Sequence, residues 1–274
     1  VERNLVGFIE RTSEWKEYLA QGIENPNLIG KALIRAFLDA DEALRAFQDG
    51  AADSYRDARH ITQSQREIGA DTSGCTSVVC IITPKYIICA NAGDSRCVLA
   101  TNGTVKAMSF DHKPYDDLEM KRIVAAGGHV SMKRVDGDLA VSRALGDFQF
   151  KDNASLPAEE QKVSPEPDII ISERSIADEF LLIACDGLWD VMSNDDASEF
   201  GRALFKLGEG NMMLFAEEMI DGALAKGSRD NISAVAVKLD GASISPGNGV
   251  AGLRIERARI AAEDAALKDQ KATY

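Results

Sequence analysis

The sequence predicts an α+β fold with largely antiparallel sheets. Three observations carry this. Helix-like and strand-like segments come in runs rather than in strict alternation, which argues against a parallel doubly wound sheet. Between residues 75 and 110, short apolar runs are separated by turn residues, the pattern of consecutive hairpins. Of the 274 residues, 45% are hydrophobic, enough for a sizeable core in one large domain, or one domain and an appendage.

Taken in order, residues 3–20 carry Leu5, Phe8, Ile9, Trp15, Tyr18 and Leu19 on one helical stripe. Asn25-Pro26 then offers a cap and a first-turn proline to a long helix that reaches about residue 48. Along it Leu28, Ile29, Leu33, Ile34, Phe37, Leu38, Leu44 and Phe47 keep helical spacing. Residues 49–72 are polar and alanine-rich and read as a loop or a ragged helix continuation. Strands at 75–83, 86–92, 95–101 and 104–110 are parted by Thr-Pro-Lys, Gly-Asp-Ser and Thr-Asn-Gly, which predicts a β-meander. A helix with Leu118, Met120, Ile123 and Val124 stops at Gly127-Gly128. Strands return at 167–173 and 178–185, helices at about 194–207 and 211–226, and a last strand at 231–239. Residues 241–251 are rich in Gly, Ser and Pro and read as a linker, and 252–270 as a terminal helix. The expected division is therefore one domain over 1–241, followed by a linker and terminal helix over 242–274.

Charge and cysteine usage narrow the partners. Lys and Arg total 31 against 44 Asp and Glu, a formal net charge of −13, which disfavours binding to a nucleic-acid backbone. No run of about 18 apolar residues exists, so no membrane span is expected. The five cysteines form no C-x-x-C pair and mostly lie in strand-like runs, so they read as reduced, buried groups in a cytoplasmic or nuclear protein. With only three histidines, none beside a cysteine, a zinc site is not expected. The first residue is Val, which leaves room for a targeting segment upstream.

Four aspartates stand at the mouths of three apolar strands. Asp94 follows the run 86–93, Asp186 follows 180–185 with Asp190 four residues on, and Asp230 precedes 231–237. The runs read as strands buried on both faces, and no positive charge is expected beside the acids to account for them. Two carboxylates about 5 Å apart repel by roughly 3 kcal/mol at an effective dielectric near 20. If the strands are neighbours, such a cluster needs a cation, and magnesium or manganese suits oxygen ligands. Otherwise each is an ordinary turn or strand-end residue.

Short motifs then occur in a fixed order. They are Gly74-Cys75-Thr76-Ser77, Ala92-Gly93-Asp94-Ser95-Arg96, Asp111-His112-Lys113-Pro114 and Val135 through Asp147 with its Ser142-Arg143-Ala144-Leu145-Gly146-Asp147. Val163-Ser164-Pro165-Glu166-Pro167, Ala184-Cys185-Asp186-Gly187-Leu188-Trp189-Asp190 and Gly227-Ser228-Arg229-Asp230-Asn231-Ile232-Ser233 follow. Over about residues 70–240 this series resembles the metal-dependent type 2C serine/threonine protein phosphatases. The resemblance implies two stacked antiparallel sheets flanked by pairs of helices, here without the first strands. It implies hydrolysis of phosphoserine and phosphothreonine in phosphorylated proteins, by water activated on two or three magnesium or manganese ions. Asp186 and Asp230 would hold the binuclear centre, and Asp94 and Asp190 a further, weaker ion. Thr76 would sit near that outer position. Residues from Pro114 to about Val135 would form a flap beside the cleft, with Arg134 as a weaker substrate contact.

The chain departs from the family at its start, where the family's phosphate-binding arginine and an acidic residue near the metals have no match. The Asp-Gly-His-Gly motif, whose aspartate bridges the metals and whose histidine is the suspected general acid, has no match in these residues. The expectation is that the intact protein has residues upstream and that this chain alone is poorly active. Competing readings are an inactive phosphatase-like scaffold that binds a protein partner, and a hydrolase of small phosphoesters. His112 reads as a turn-stabilising residue, and Arg96 and Arg143 as ion-pair partners. Gly93 and Gly187 read as tight-turn residues. The 252–270 helix could pack on the domain or dock a partner.

Overall fold

The computed structural model describes residues 4–21, 24–48 and 73–272. The segment 49–72, with His60, lies outside the described residues. The helices are α1 (Leu5–Arg11), α2 (Ser13–Gln21), α3 (Pro26–Gln48), α4 (Asp117–Ala125), α5 (Asp186–Trp189), α6 (Asn194–Lys206), α7 (Met212–Ala225) and α8 (Gly249–Ala272). The strands are β1 (Gly74–Cys75), β2 (Ser77–Ile82), β3 (Tyr86–Ala92), β4 (Arg96–Thr101), β5 (Thr104–Ala107) and β6 (Val130–Ser131). They continue with β7 (Arg134–Val135), β8 (Leu145–Gly146), β9 (Asp168–Glu173), β10 (Asp178–Ala184) and β11 (Ala234–Lys238). The α+β class holds, and the pairs β1–β8, β2–β3, β3–β9, β4–β5, β6–β7 and β10–β11 are antiparallel. The chain forms two compact units, Val1–Arg96 with Met108–Arg174, and Cys97–Ala107 with Ser175–Tyr274.

In the first unit a three-stranded sheet has the order β2-β3-β9. Its apolar face carries Ile88, Ala90 and Ala92, against which α3 buries Ile29, Leu33, Ala36 and Phe37. The helix starts where Asn25 Oδ1 accepts the Asn27 N–H at 3.2 Å, the capping role its sequence predicts. The single stripe over 3–20 is two helices instead. Thr12 breaks it with φ −61° and ψ 148°. Its hydroxyl donates to Ile9 O at 2.7 Å and accepts Trp15 N–H at 3.2 Å, so the side chain replaces helical backbone partners on both sides of the break.

In the second unit a four-stranded sheet has the order β11-β10-β4-β5. Helices α6 and α7 cover it through Phe180, Phe205 and Phe215, whose ring centroids lie 5.1 to 5.6 Å apart. A capping box, Ser193 with Asp196, starts α6. The 241–248 stretch is pinned to this unit, with Ser245 N–H on Phe205 O at 3.0 Å and Gly249 N–H on Leu207 O at 2.9 Å. Val250 is buried in the same core, and Glu209 caps its N–H at 2.9 Å. Helix α8 therefore begins at Gly249, earlier than its composition suggests. Arg254 and Arg257 then pair with Glu218, fully buried on α7, at 3.1 and 2.8 Å. Ile255 and Ile260 face solvent. No helix among the described residues is long and apolar enough to cross a membrane.

The predicted meander does not run through. β2 pairs with β3 and β4 with β5, but β3 and β4 enter different sheets. The parting falls at Gly93-Asp94-Ser95. Gly93 has φ +119°, and a Cβ there would lie 2.4 Å from Thr76 Cγ2. Only glycine allows this corner, which lifts Asp94 out of a hairpin turn.

Candidate functional site

Two groups of the expected residues are built separately, one in each unit. In the second unit β10 is almost wholly buried, and its Ala184 pairs with Ala234 of β11. In antiparallel register the chain leaving β10 and the chain entering β11 meet at one end of the sheet. Asp186 opens α5 at that end, Asp190 follows its last turn, and Asp230 lies just before β11. The two segments are stitched together. Cys185 N–H donates to Ser233 O at 3.2 Å, and the Ser228 hydroxyl donates to Gly187 O at 2.6 Å. A Cβ at Gly187 would stand 2.3 Å from Asn231 O. Gly187 thus serves a close approach between the acid-bearing segments, rather than the tight turn its sequence suggests.

Asp186 is half-buried, while Asp190 and Asp230 are exposed. The reading of all three strands as buried on both faces fails at β11, which lies at the sheet's edge among the described residues and on which Val235 is exposed. Among the described residues no three carboxylates bring an oxygen each within 4.8 Å. The three acids of this unit share a sheet end without closing into a tight cage. Such a set of hard oxygen donors fits magnesium or manganese, which keep much of their water when bound.

In the first unit Asp94 is 5% exposed, the most buried of the four. Thr76 packs on Gly93, and its hydroxyl lies 2.8 Å from Ser95 Oγ, so the threonine expected near the outer position does neighbour Asp94 in the fold. Asp94 has a cationic partner that the sequence reading did not supply. Lys113 Nζ reaches its Oδ2 at 2.6 Å. His112 fixes the approach. Gly93 N–H donates to His112 Nδ1 at 3.1 Å, and His112 N–H donates to Gly93 O at 3.0 Å. Arg96 grips Asp111 with two parallel bonds of 2.9 and 2.8 Å, the ion-pair role predicted for it.

Behind this corner lies a charged network. His112 Nδ1 faces both the N–H and the carbonyl of Gly93, at 3.1 and 3.2 Å, and Nε2 lies 3.2 Å from Asp168 Oδ2. That contact is close enough for electrostatic attraction but poorly aligned for a hydrogen bond. Arg143 bonds Asp168 at 2.9 Å and Glu119 of α4 at 2.8 Å. Glu119 also receives Arg122 at 2.7 Å and the Ser142 hydroxyl at 2.6 Å. Burial pushes the Glu119 carboxyl up, but Arg143, Arg122 and Ser142 together hold it below its usual value. The arginines respond differently. Burial lowers Arg122, which has this one close carboxylate, while two carboxylates overcome burial at Arg143 and raise it. The expected flap helix is thus tied through Arg143 and Asp168 to the corner that carries Asp94.

Asp168 sets a pH dependence. His112, opposed by burial and aided by Arg143, holds its carboxyl at about 2. The unfolded value is about 3.9. Its stabilisation is therefore complete above about pH 4 and is lost as pH falls through about 2. Asp168→Asn should lower stability at pH 6, and the gap to the parent should close towards pH 2, as read by urea denaturation across pH. Since the side chain is half exposed, solvent screening keeps the effect modest. A gap that stays constant with pH would remove this assignment.

Arg134 is exposed on the β6–β7 hairpin and donates to Asp138 O. Lys113 and Glu119 are the residues that sequence reasoning missed. Lys113 stands in the quoted Asp-His-Lys-Pro run, but no periodicity links it to Asp94, nineteen residues away. Glu119 reads as one polar residue on a short helix.

The family model described as protein phosphatase 2C matches residues 16–232. Protein phosphatase ppm-1.A of Caenorhabditis elegans is 41% identical over 198 residues, covering 72% of this chain and 42% of that protein. Human protein phosphatase 1A is 39% identical over 219 residues, covering 80% of this chain and 52% of that protein. The chain spans about half the length of the curated relatives it matches. A serine-threonine phosphatase 2C of Toxoplasma gondii superposes with a TM-score of 0.66 at 21% identity, over 85% of this chain and 78% of that one, a likeness of fold. A second Toxoplasma gondii phosphatase structure is 36% identical with a TM-score of 0.54, over 59% of this chain and 50% of that one.

Proposed function

The chain belongs to the protein phosphatase 2C family, and from that premise we propose that its protein hydrolyses phosphoserine and phosphothreonine in protein substrates, with two or three magnesium or manganese ions as cofactors. The observation that carries this is the β10–β11 register, which brings the Asp186 and Asp230 segments to one sheet end. Asp186 and Asp230 would hold the inner ions, with Asp190 in the same unit and Asp94 in the first unit each a candidate ligand for a weaker ion. Bound there, the ions would supply an acidified water and positive charge for the phosphoryl oxygens.

The protein's own residues prepare that chemistry. Ser228 and Gly187 hold the two acid-bearing segments at a fixed spacing. Gly93, Thr76 and His112 fix the direction of Asp94. The flap around α4 and the β6–β7 hairpin carries Arg134, a candidate contact for the substrate chain. Phosphorylated proteins are the proposed partners, in the cytoplasm or nucleus. The exposed part of α8, with Ile255 and Ile260, is a candidate docking surface for another protein.

The test is release of inorganic phosphate by the full-length protein from a phosphothreonine peptide and from a small phosphoester, with manganese and then with a chelator. Chelator-sensitive release that favours the peptide is expected. Release indifferent to the chelator would sink the metal reading. Equal turnover of both substrates would favour a small-phosphoester hydrolase. No release from protein that binds manganese would point to a scaffold.

A further inference from the structure

We propose that Lys113 is a tethered counter-cation of Asp94, which a divalent ion must displace, so that this side chain sets how strongly the Asp94 position takes magnesium or manganese. The inference rests on the reading of Asp94 as a metal ligand. Its grounds are geometric. The ammonium sits 2.6 Å from Oδ2 of a carboxylate that is almost fully buried. A buried carboxylate with no cation nearby would be costly, so a partner is needed before any ion arrives. Lysine suits this role better than arginine. It is a compact point charge on a flexible stem, and it withdraws without breaking a two-pronged clamp.

The fold delivers Lys113 to this place by design of the backbone. His112 is bonded to both the N–H and the carbonyl of Gly93, so residues 112–113 cannot drift from 93–94. Lys113 is more exposed than Asp94, with 24% of its side chain accessible against 7%, which gives the displaced ammonium a route to water. Neighbouring Arg96 is paired with Asp111 at 2.8 Å. Asp94 thus trades one cation for another, and its ion is held less strongly than the carboxylate alone would allow.

The experiment is a manganese-binding titration on the full 274-residue chain, followed by electron paramagnetic resonance of free manganese. Lys113→Met should tighten one ion by roughly tenfold, the scale of losing a partly shielded charged competitor. Lys113→Gln keeps a hydrogen bond but no charge and should do the same, so the outcome does not depend on one variant folding. Lys113→Arg should stay near the parent, and Asp94→Ala should abolish the affected ion in every background. Unchanged or weaker binding in both neutral variants, with Asp186-dependent binding intact, would overturn the proposal alone. Binding that does not change in Asp186→Ala would instead overturn the metal reading on which it rests.

Discussion

Replacing Asp186 by alanine in the full-length protein should lower manganese-dependent phosphate release from a phosphothreonine peptide by about a thousandfold or more, with the fold retained. The magnitude follows from what a ligated ion contributes. Charge stabilisation at a phosphoryl centre is worth several kcal/mol, and each 1.36 kcal/mol of barrier is about tenfold in rate. The fold should survive because the apolar core beneath Asp186 is built from other side chains. Phe180, Leu182, Ala184, Leu188 and Trp189 form that core without it. Stability in the absence of metal should move by about 1 kcal/mol or less. Manganese should raise the melting temperature of the parent more than that of the variant, because an ion that binds only the folded state stabilises it by mass action. Turnover that survives the substitution would remove Asp186 from the site, and with it the significance of the β10–β11 register.

The largest effect on stability is expected at Glu119. Glu119→Gln should destabilise the protein by about 3–5 kcal/mol, read from the midpoint of urea denaturation at pH 7. The side chain is only 5% accessible and is the shared acceptor for Arg122, Arg143 and the Ser142 hydroxyl. Removing its charge leaves two mostly buried guanidinium groups with the backbone carbonyls of Gln161, Ser142 and Glu166 and, on Arg143, the half-exposed carboxylate of Asp168. The pH dependence has a definite sign. Glu119 is held below its unfolded value, so its contribution is complete above that value and fades as pH falls through the lower folded one. The penalty of Glu119→Gln should therefore shrink in acid. A loss under about 1 kcal/mol at pH 7 would mean that Arg122 and Arg143 find water or other acceptors, and that the network is not a structural unit.

Both residues bear on what could be read before the fold was known. Helix α3 was legible to its last turn, because its apolar stripe, its Asn25 cap and Pro26 are all local signals. The same holds for α4, α6, α7 and β10, whose patterns repeat within one element. The break at Thr12 was not, since a threonine inside a helical stripe declares itself only through the two hydrogen bonds it makes. Nor was the parting of β3 from β4, because strand periodicity is the same whether the next strand continues the sheet or leaves it. At the candidate site Asp186, Asp190 and Asp230 could be named from strand ends and motif order. Arg96 and Arg143 could be named as ion-pair residues, though not with their partners.

The sequence by itself determined the kinds of elements, their order, the acids at the strand ends and the family. These are short-range properties, fixed by side-chain period, capping residues and motifs of a few adjacent positions. Only the tertiary structure decided that Asp186 and Asp230 share a sheet end, that Lys113 neutralises Asp94, and that Glu119 gathers two arginines from separate segments. Apart from Arg122, which stands three residues from Glu119 on α4, each of those joins residues distant along the chain. What sets them is strand register, a glycine corner with no room for a Cβ, and the need of every buried charge for a partner.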